Sequence, residues 1–359
     1  MIQVTKTFLP PISEYIEKVT EIWETNQLTN NGAQVRDLQR QLKSTLNLPN
    51  LELVSNGTIA IQLAIKALDL HGEIITTPYS YVATTNAILW ENCTPVFVDI
   101  EDKTFCINSE LIEASITSKT SGILATHVYG YPCNVKKIRA IAEKYNLKVI
   151  YDGAHAFSAN YNGRSLIEYG DCTTLSFHAT KLFHTGEGGG VASRDSAISK
   201  RIFLMAKFGH IGEEDYMDLG INAKMSEFHA AMGLCVLPYI KSIIQKRKEI
   251  SLLYDSLLDG LSVQRPVSPD GHEYNYAYYP VVFSSTEVML SVRRALTNLN
   301  IQPRRYFYPS LNRLPFLSTE LQFPCPVSES IADRVLCLPL SDSIETSTIH
   351  TICECIKRL

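Results

Sequence analysis

Lys148-Val149-Ile150-Tyr151-Asp152-Gly153-Ala154-His155-Ala156 is the stretch that decides the fold class. A short apolar run rich in β-branched residues closes on a carboxylate and then opens into small residues, the pattern of a strand that ends at a loop. Similar runs occur at 73–76, 95–98, 122–126, 173–176 and 190–192, and 59–67 and 135–145 between them carry helical periodicity. This alternation predicts a mostly parallel sheet covered by helices. Ligands in such sheets gather at the carboxyl ends of the strands, where Asp152 and Ser176 fall.

Further along, 239–258 reads as a long connecting helix, 263–270 is turn-rich, and strand and helix patterns return at 276–283, 286–299 and 347–359. The expected division is a large ligand-binding domain over 1–245, with an N-terminal helical segment, and a small C-terminal domain over 246–359.

Charge and composition exclude several classes of function. Lys plus Arg total 33 against 37 Asp plus Glu, a net charge of -4, so nothing points to nucleic acid or to an anionic membrane surface. No apolar stretch reaches the roughly 20 residues that span a bilayer. Met1-Ile2-Gln3-Val4-Thr5-Lys6 lacks the features of a signal peptide, which predicts a cytoplasmic protein. The nine cysteines are scattered without a C-x-x-C pair and read as buried small apolar residues of a reduced compartment, and no metal is assigned.

The chemistry gathers around one amine. Lys181 sits in Ser176-Phe177-His178-Ala179-Thr180-Lys181-Leu182-Phe183-His184-Thr185-Gly186-Glu187-Gly188-Gly189-Gly190. A lysine amine forms a Schiff base with an aldehyde, and a carboxylate at a strand end can hold a protonated pyridine nitrogen; pyridoxal 5'-phosphate needs both. At an effective dielectric near 20, a carboxylate a few ångströms from a pyridinium stabilises the charged ring by about 4 kcal/mol. Either residue alone would read as an ordinary surface lysine or turn aspartate. Ser55-Asn56-Gly57-Thr58 precedes a helix and offers free backbone amides to an anion, although by itself it reads as an N-cap. Tyr79 and Tyr81 follow a strand where a flat ring could stack, and His155 follows Asp152 by three residues. The glycines at 186–190 lack the G-x-G-x-x-G spacing and lead into a strand, so they predict close backbone passage by the cofactor and no nucleotide-phosphate loop.

Together these segments, with His127-Val128-Tyr129-Gly130 and the run Gly220-Ile221-Asn222-Ala223-Lys224-Met225-Ser226-Glu227, resemble the DegT/StrS family of sugar-nucleotide aminotransferases. The resemblance covers essentially the whole chain. It implies an α/β protein of the aspartate aminotransferase-like fold type I, with a large, mostly parallel seven-stranded sheet domain and a smaller C-terminal α/β domain. It further implies that Lys181 carries pyridoxal phosphate, that Asp152 meets the ring nitrogen, and that His155 meets the phenolate oxygen. Tyr81 is implied to stack on the ring, while Gly57, Thr58 and Ser176 bind the phosphate with Asn222 of a second subunit. His127, Tyr129, Lys224 and Tyr308 are implied to meet the substrate. Lys224 stands where many members have arginine, which keeps the charge but loses the planar fork.

Within that family the Lys181 run is similar to enzymes that aminate C4 of a 4-keto-6-deoxy hexose. The expected substrates are dTDP-4-dehydro-6-deoxy-D-glucose and L-glutamate, with pyridoxamine phosphate formed between two half-reactions, 2-oxoglutarate released, and a homodimer with shared sites. A C3 aminotransferase, or a UDP- or GDP-sugar enzyme, is the nearer alternative. A cofactor-binding regulatory protein without turnover is the more distant one, and the presence of Lys181 argues against it.

Overall fold

The computed structural model describes residues 1–358. A seven-stranded sheet forms its centre, in the spatial order Asn50–Val54, Gly189–Ser193, Cys172–Ser176, Lys148–Asp152, Thr120–Thr126, Glu73–Thr76 and Thr94–Phe97. Gly189–Ser193 runs antiparallel to both of its neighbours, and the other pairings are parallel. Helices bury both faces, which is why these strands read as continuous apolar runs. Period-two alternation sends Ile75, Ile123 and Val149 into one core cluster and Ile74, Leu124 and Ile150 into another on the opposite face. The register sets Thr126 and Thr174 on either side of Asp152, so the carboxyl ends of three strands are level.

Two N-terminal helices, Ile12–Thr25 and Ala33–Leu46, pack against the helix Glu227–Val236. Beyond the long helix Ile240–Leu258, a three-stranded antiparallel sheet of Val263–Gln264, Tyr279–Phe283 and Val335–Leu338 carries a separate core. The helices Thr286–Asn298 and Thr346–Lys357 contribute Met289, Val292, Ile349 and Ile352 to it. The expected terminal helix runs to Lys357, and Leu359 lies outside the described residues. Among the described residues, no helix is long and apolar enough to cross a membrane.

Three local expectations differ from the structure. The strand expected at 276–283 begins only at Tyr279, because Tyr276 has φ 54° and the buried Arg247 takes the carbonyls of Tyr276 and Ala277 at 3.0 and 2.7 Å. A side chain thus satisfies backbone groups that a ladder would otherwise pair. The edge strand Asn50–Val54 was not among the expected runs; only its Leu51, Leu53 and Val54 are buried, so it lacks a continuous apolar signal. Gly189 in the glycine run serves protein packing: a Cβ there would stand 2.5 Å from the backbone carbon of Asn56. The close passage at Gly189 is therefore between that strand and the helix start at Gly57, where the sequence reading had expected the cofactor.

Candidate active site

At the level carboxyl ends of the strands lies a cavity of about 270 Å³, lined by Gly57, Thr58, Tyr81, Asp152, His155, Ser176 and Lys181 among others. Seven of the residues expected at the site from sequence therefore share one space. A turn tied across its base presents Lys181: the Phe177 amide donates to Gly188, the Ala179 amide to Gly186 and the Lys181 amide to His178, each at 2.8 Å. The amine opens into the cavity yet is densely surrounded by protein. Burial lowers its pKa from the ordinary 10.5, against an opposing pull from Asp152 and weaker ones from Tyr306 and Tyr81.

Asp152 is buried, and both of its donors are neutral. The Thr84 hydroxyl donates to Oδ2 at 2.7 Å and the Ala154 amide to Oδ1 at 3.0 Å. Thr126 donates to Ser80 at 3.0 Å, and Ser80 and Thr84 share a hydrogen bond at 2.8 Å. If Ser80 is the donor, a single directed chain of hydroxyls runs from Thr126 to the carboxylate. A buried carboxylate served only by neutral donors is set to receive a cation.

The imidazole of His155 has a defined tautomer. Its Nδ1 accepts the backbone N–H of Tyr129 at 3.1 Å, which leaves the proton on Nε2. Burial, and then the charge of Lys181, holds the ring well below its usual pKa, so it is a neutral donor. Phe307 lies parallel to it at 5.6 Å between centroids, and Tyr129 lies parallel to Phe307 at 5.8 Å.

The Asn56 side chain caps its helix by accepting from the Ile59 amide at 2.9 Å, so the first-turn amides at Gly57 and Thr58 are not consumed by the cap. A Cβ on Gly57 would meet the Cβ of Ser176 at 2.8 Å, so glycine lets the helix start and the strand end approach this closely. Tyr81 stands at the head of the helix Val82–Trp90 with 57% of its surface exposed, free to cover a flat ring. This donor set fits pyridoxal phosphate: free amides and hydroxyls for the phosphate, a buried carboxylate for the ring nitrogen, and a low-basicity amine for the aldehyde.

The four residues expected to meet substrate do not line this cavity. His127 is fully buried, stacked on Tyr151 at 4.4 Å, and its Nδ1 accepts the Cys133 amide at 3.2 Å; burial pushes its pKa down to about 3. Tyr129 is a buried support whose hydroxyl meets that of Tyr79 at 2.8 Å and bonds the Tyr306 carbonyl. Lys224 donates to Asn222 Oδ1 at 2.7 Å and lines a different cavity. Tyr308 is 51% exposed beneath the guanidinium of Arg305 at 3.3 Å. Asn222 is exposed and also lies outside its own chain's cavity.

Sequence reasoning missed Thr84, Tyr278, Arg304, Tyr306 and Phe307. Thr84 lay within a stretch read only for its tyrosines. The other four come from the C-terminal part of the chain and line the same cavity.

The model of the DegT/DnrJ/EryC1/StrS aminotransferase family matches residues 12–357. The chain is 38% identical over 361 residues to the dTDP-4-amino-4,6-dideoxy-D-glucose transaminase of Shigella dysenteriae, covering 99% of this chain and 98% of that protein. A protein of the same name from Escherichia coli is 38% identical over 362 residues, with 98% and 96% covered. Among solved structures, DesI, determined in the presence of its TDP-sugar product, matches with a TM-score of 0.95 at 28% identity, covering 99% of this chain and 92% of that one. The chain belongs to the DegT/DnrJ/EryC1/StrS aminotransferase family and is a pyridoxal-phosphate-dependent sugar aminotransferase.

Proposed function

We propose that the enzyme transfers the amino group of L-glutamate to C4 of dTDP-4-dehydro-6-deoxy-D-glucose, giving dTDP-4-amino-4,6-dideoxy-D-glucose and 2-oxoglutarate. The observation that carries this choice of sugar is near-full-length similarity, at 38% identity, to the Shigella dysenteriae transaminase named for that product.

Pyridoxal phosphate, when bound, supplies a carbon that takes and gives an amino group and a ring that accepts the electron pair left by a departing proton. Asp152 would keep the ring nitrogen protonated, and each pKa unit it added would be worth about 1.4 kcal/mol of charged-form stability. The Nε2 proton of His155 would serve the phenolate oxygen, while the Gly57 and Thr58 amides and the Ser176 hydroxyl would hold the phosphate. Lys181 Nζ, kept low in basicity by burial, takes the proton from Cα of glutamate and delivers one to C4 of the sugar. The two substrates use the site in turn, so the kinetics are ping-pong.

In this reading the enzyme is a homodimer in which Asn222 serves the phosphate in the neighbouring subunit. Its support is the position of Asn222 outside its own cavity, on a segment that exposes Phe208, Ile211, Tyr216, Met217, Leu219 and Ile221. An apolar surface of that kind marks an interaction face.

The test is transfer from 15N-labelled glutamate to dTDP-4-dehydro-6-deoxy-D-glucose, read by NMR of the product. Label at C4 is expected. Label at C3, or no transfer to this sugar alongside rapid transfer to a UDP- or GDP-linked ketone, refutes the assignment.

A further inference from the structure

Among the described residues lining the cavity, Lys181 is the one lysine and Arg304 the one arginine. Lys181 is committed to the cofactor aldehyde and to proton movement. The phosphate end of the cavity is provided with amides and hydroxyls, and the ring nitrogen with Asp152. That leaves one guanidinium facing the space where substrates enter, and both proposed substrates are anions there.

Arg304 is anchored for such a role. Its backbone N–H donates to the Cys337 carbonyl at 3.3 Å and its carbonyl accepts from the Cys337 amide at 2.8 Å, so the residue is fixed to the strand Val335–Leu338. Its Nη1 donates to the Tyr306 hydroxyl at 2.9 Å, and Tyr306 also lines the cavity. A neutral hydroxyl orients the fork without neutralising it, and the remaining donors match a carboxylate or phosphate face. The neighbouring Arg305 shows the contrast. It donates to the carbonyls of Ala332 and Asp333 at 3.0 and 3.2 Å, pairs with the Asp333 carboxylate at 3.5 Å, and covers Tyr308 outside the cavity. Of two adjacent arginines, one is consumed by structure and the other is left for a ligand.

We propose that Arg304, aligned by Tyr306, is the seat for a substrate oxyanion: the α-carboxylate of the amino donor or the diphosphate of the nucleotide sugar. The inference rests on the proposed substrate pair for the identity of those anions, and its test needs no turnover.

Calorimetry on the holoenzyme, on Arg304→Gln and on Arg304→Lys measures binding of 2-oxoglutarate, which does not react with the aldehyde form of the cofactor, and separately of dTDP. Arg304→Gln is expected to weaken one probe by about tenfold or more, with Arg304→Lys intermediate, because a charge-assisted pair is lost. Cofactor absorbance and thermal midpoint stay at wild-type values. Weakening of 2-oxoglutarate alone assigns the carboxylate, of dTDP alone the diphosphate, and of both a seat that the two substrates share in turn. Three results overturn the proposal: dissociation constants within twofold of wild type for both probes in Arg304→Gln, a wild-type protein that binds neither probe, or loss of cofactor absorbance in both variants. A wild-type enzyme that aminates a different sugar would refute the substrate assignment and leave this result standing.

Discussion

The Thr84 hydroxyl donates to Oδ2 of Asp152 at 2.7 Å, joining the first turn of the helix Val82–Trp90 to the carboxylate that ends the strand Lys148–Asp152. Asp152 is thus held from outside its own segment, and Thr84 is itself steered by Ser80 and Thr126. Such a network acts as a unit, since each buried hydroxyl depends on the next for a partner.

Thr84→Val is expected to keep the fold and lower turnover by about one order of magnitude, because a hydrogen bond to a charged group is worth about 1.5–3 kcal/mol and water can restore part of it. Thr84→Ser, which keeps the hydroxyl, is expected to recover most of the rate. Steady-state rates at saturating cofactor check this, and equal activity of the valine and serine variants would show that the contact does not position Asp152.

Lys181 makes the apoprotein less stable in a pH-dependent way. Its folded pKa is lowered from 10.5, so between that lowered value and 10.5 the unfolded chain binds more protons and stability rises with pH. Below the lowered value the full penalty applies, and above 10.5 it vanishes. Apo Lys181→Met is therefore expected to exceed the apo wild type in stability at pH 7, with the pH-dependent part of the gap closing as pH approaches 10.5. Denaturant unfolding at several pH values measures the gap, and one that does not change with pH would contradict the shift.

If Asn222 serves the neighbouring site, two inactive variants rescue each other. Lys181→Ala subunits mixed with subunits carrying a bulky change at Asn222 are expected to regain about a quarter of wild-type activity after random exchange, since half the dimers are mixed and one of their two sites is intact. Demonstrated exchange without recovery would confine Asn222 to its own subunit.

That the residues expected to hold the cofactor share one cavity was legible in the sequence, because most of them sit in short segments at the ends of strands that the sheet brings level. Asp152 and Ser176 needed only the alternation of strands and helices to be placed together, whereas Gly57, after a strand that the sequence did not announce, was placed by its helix start and by the company of the other segments. The C-terminal side of the cavity was not legible in the same way. Arg304, Arg305, Tyr306, Phe307 and Tyr308 are consecutive and chemically alike in pairs, and sequence reading chose Tyr308. The fold turns Arg304, Tyr306 and Phe307 to the cavity and folds Arg305 over Tyr308 outside it. His127 lies outside the cavity for a related reason: it follows a strand end, but its ring turns back onto Tyr151 in the core. Proximity along the chain to a functional strand end does not fix the side to which a side chain points.

The central claim is that Lys181 is the amine that carries the cofactor, opposite Asp152. Borohydride reduction of the holoenzyme followed by peptide mapping tests it most directly. The structure predicts one pyridoxyl-modified peptide, containing Lys181, and loss of that label in Lys181→Ala; label on another lysine with Lys181 unmodified would contradict the account.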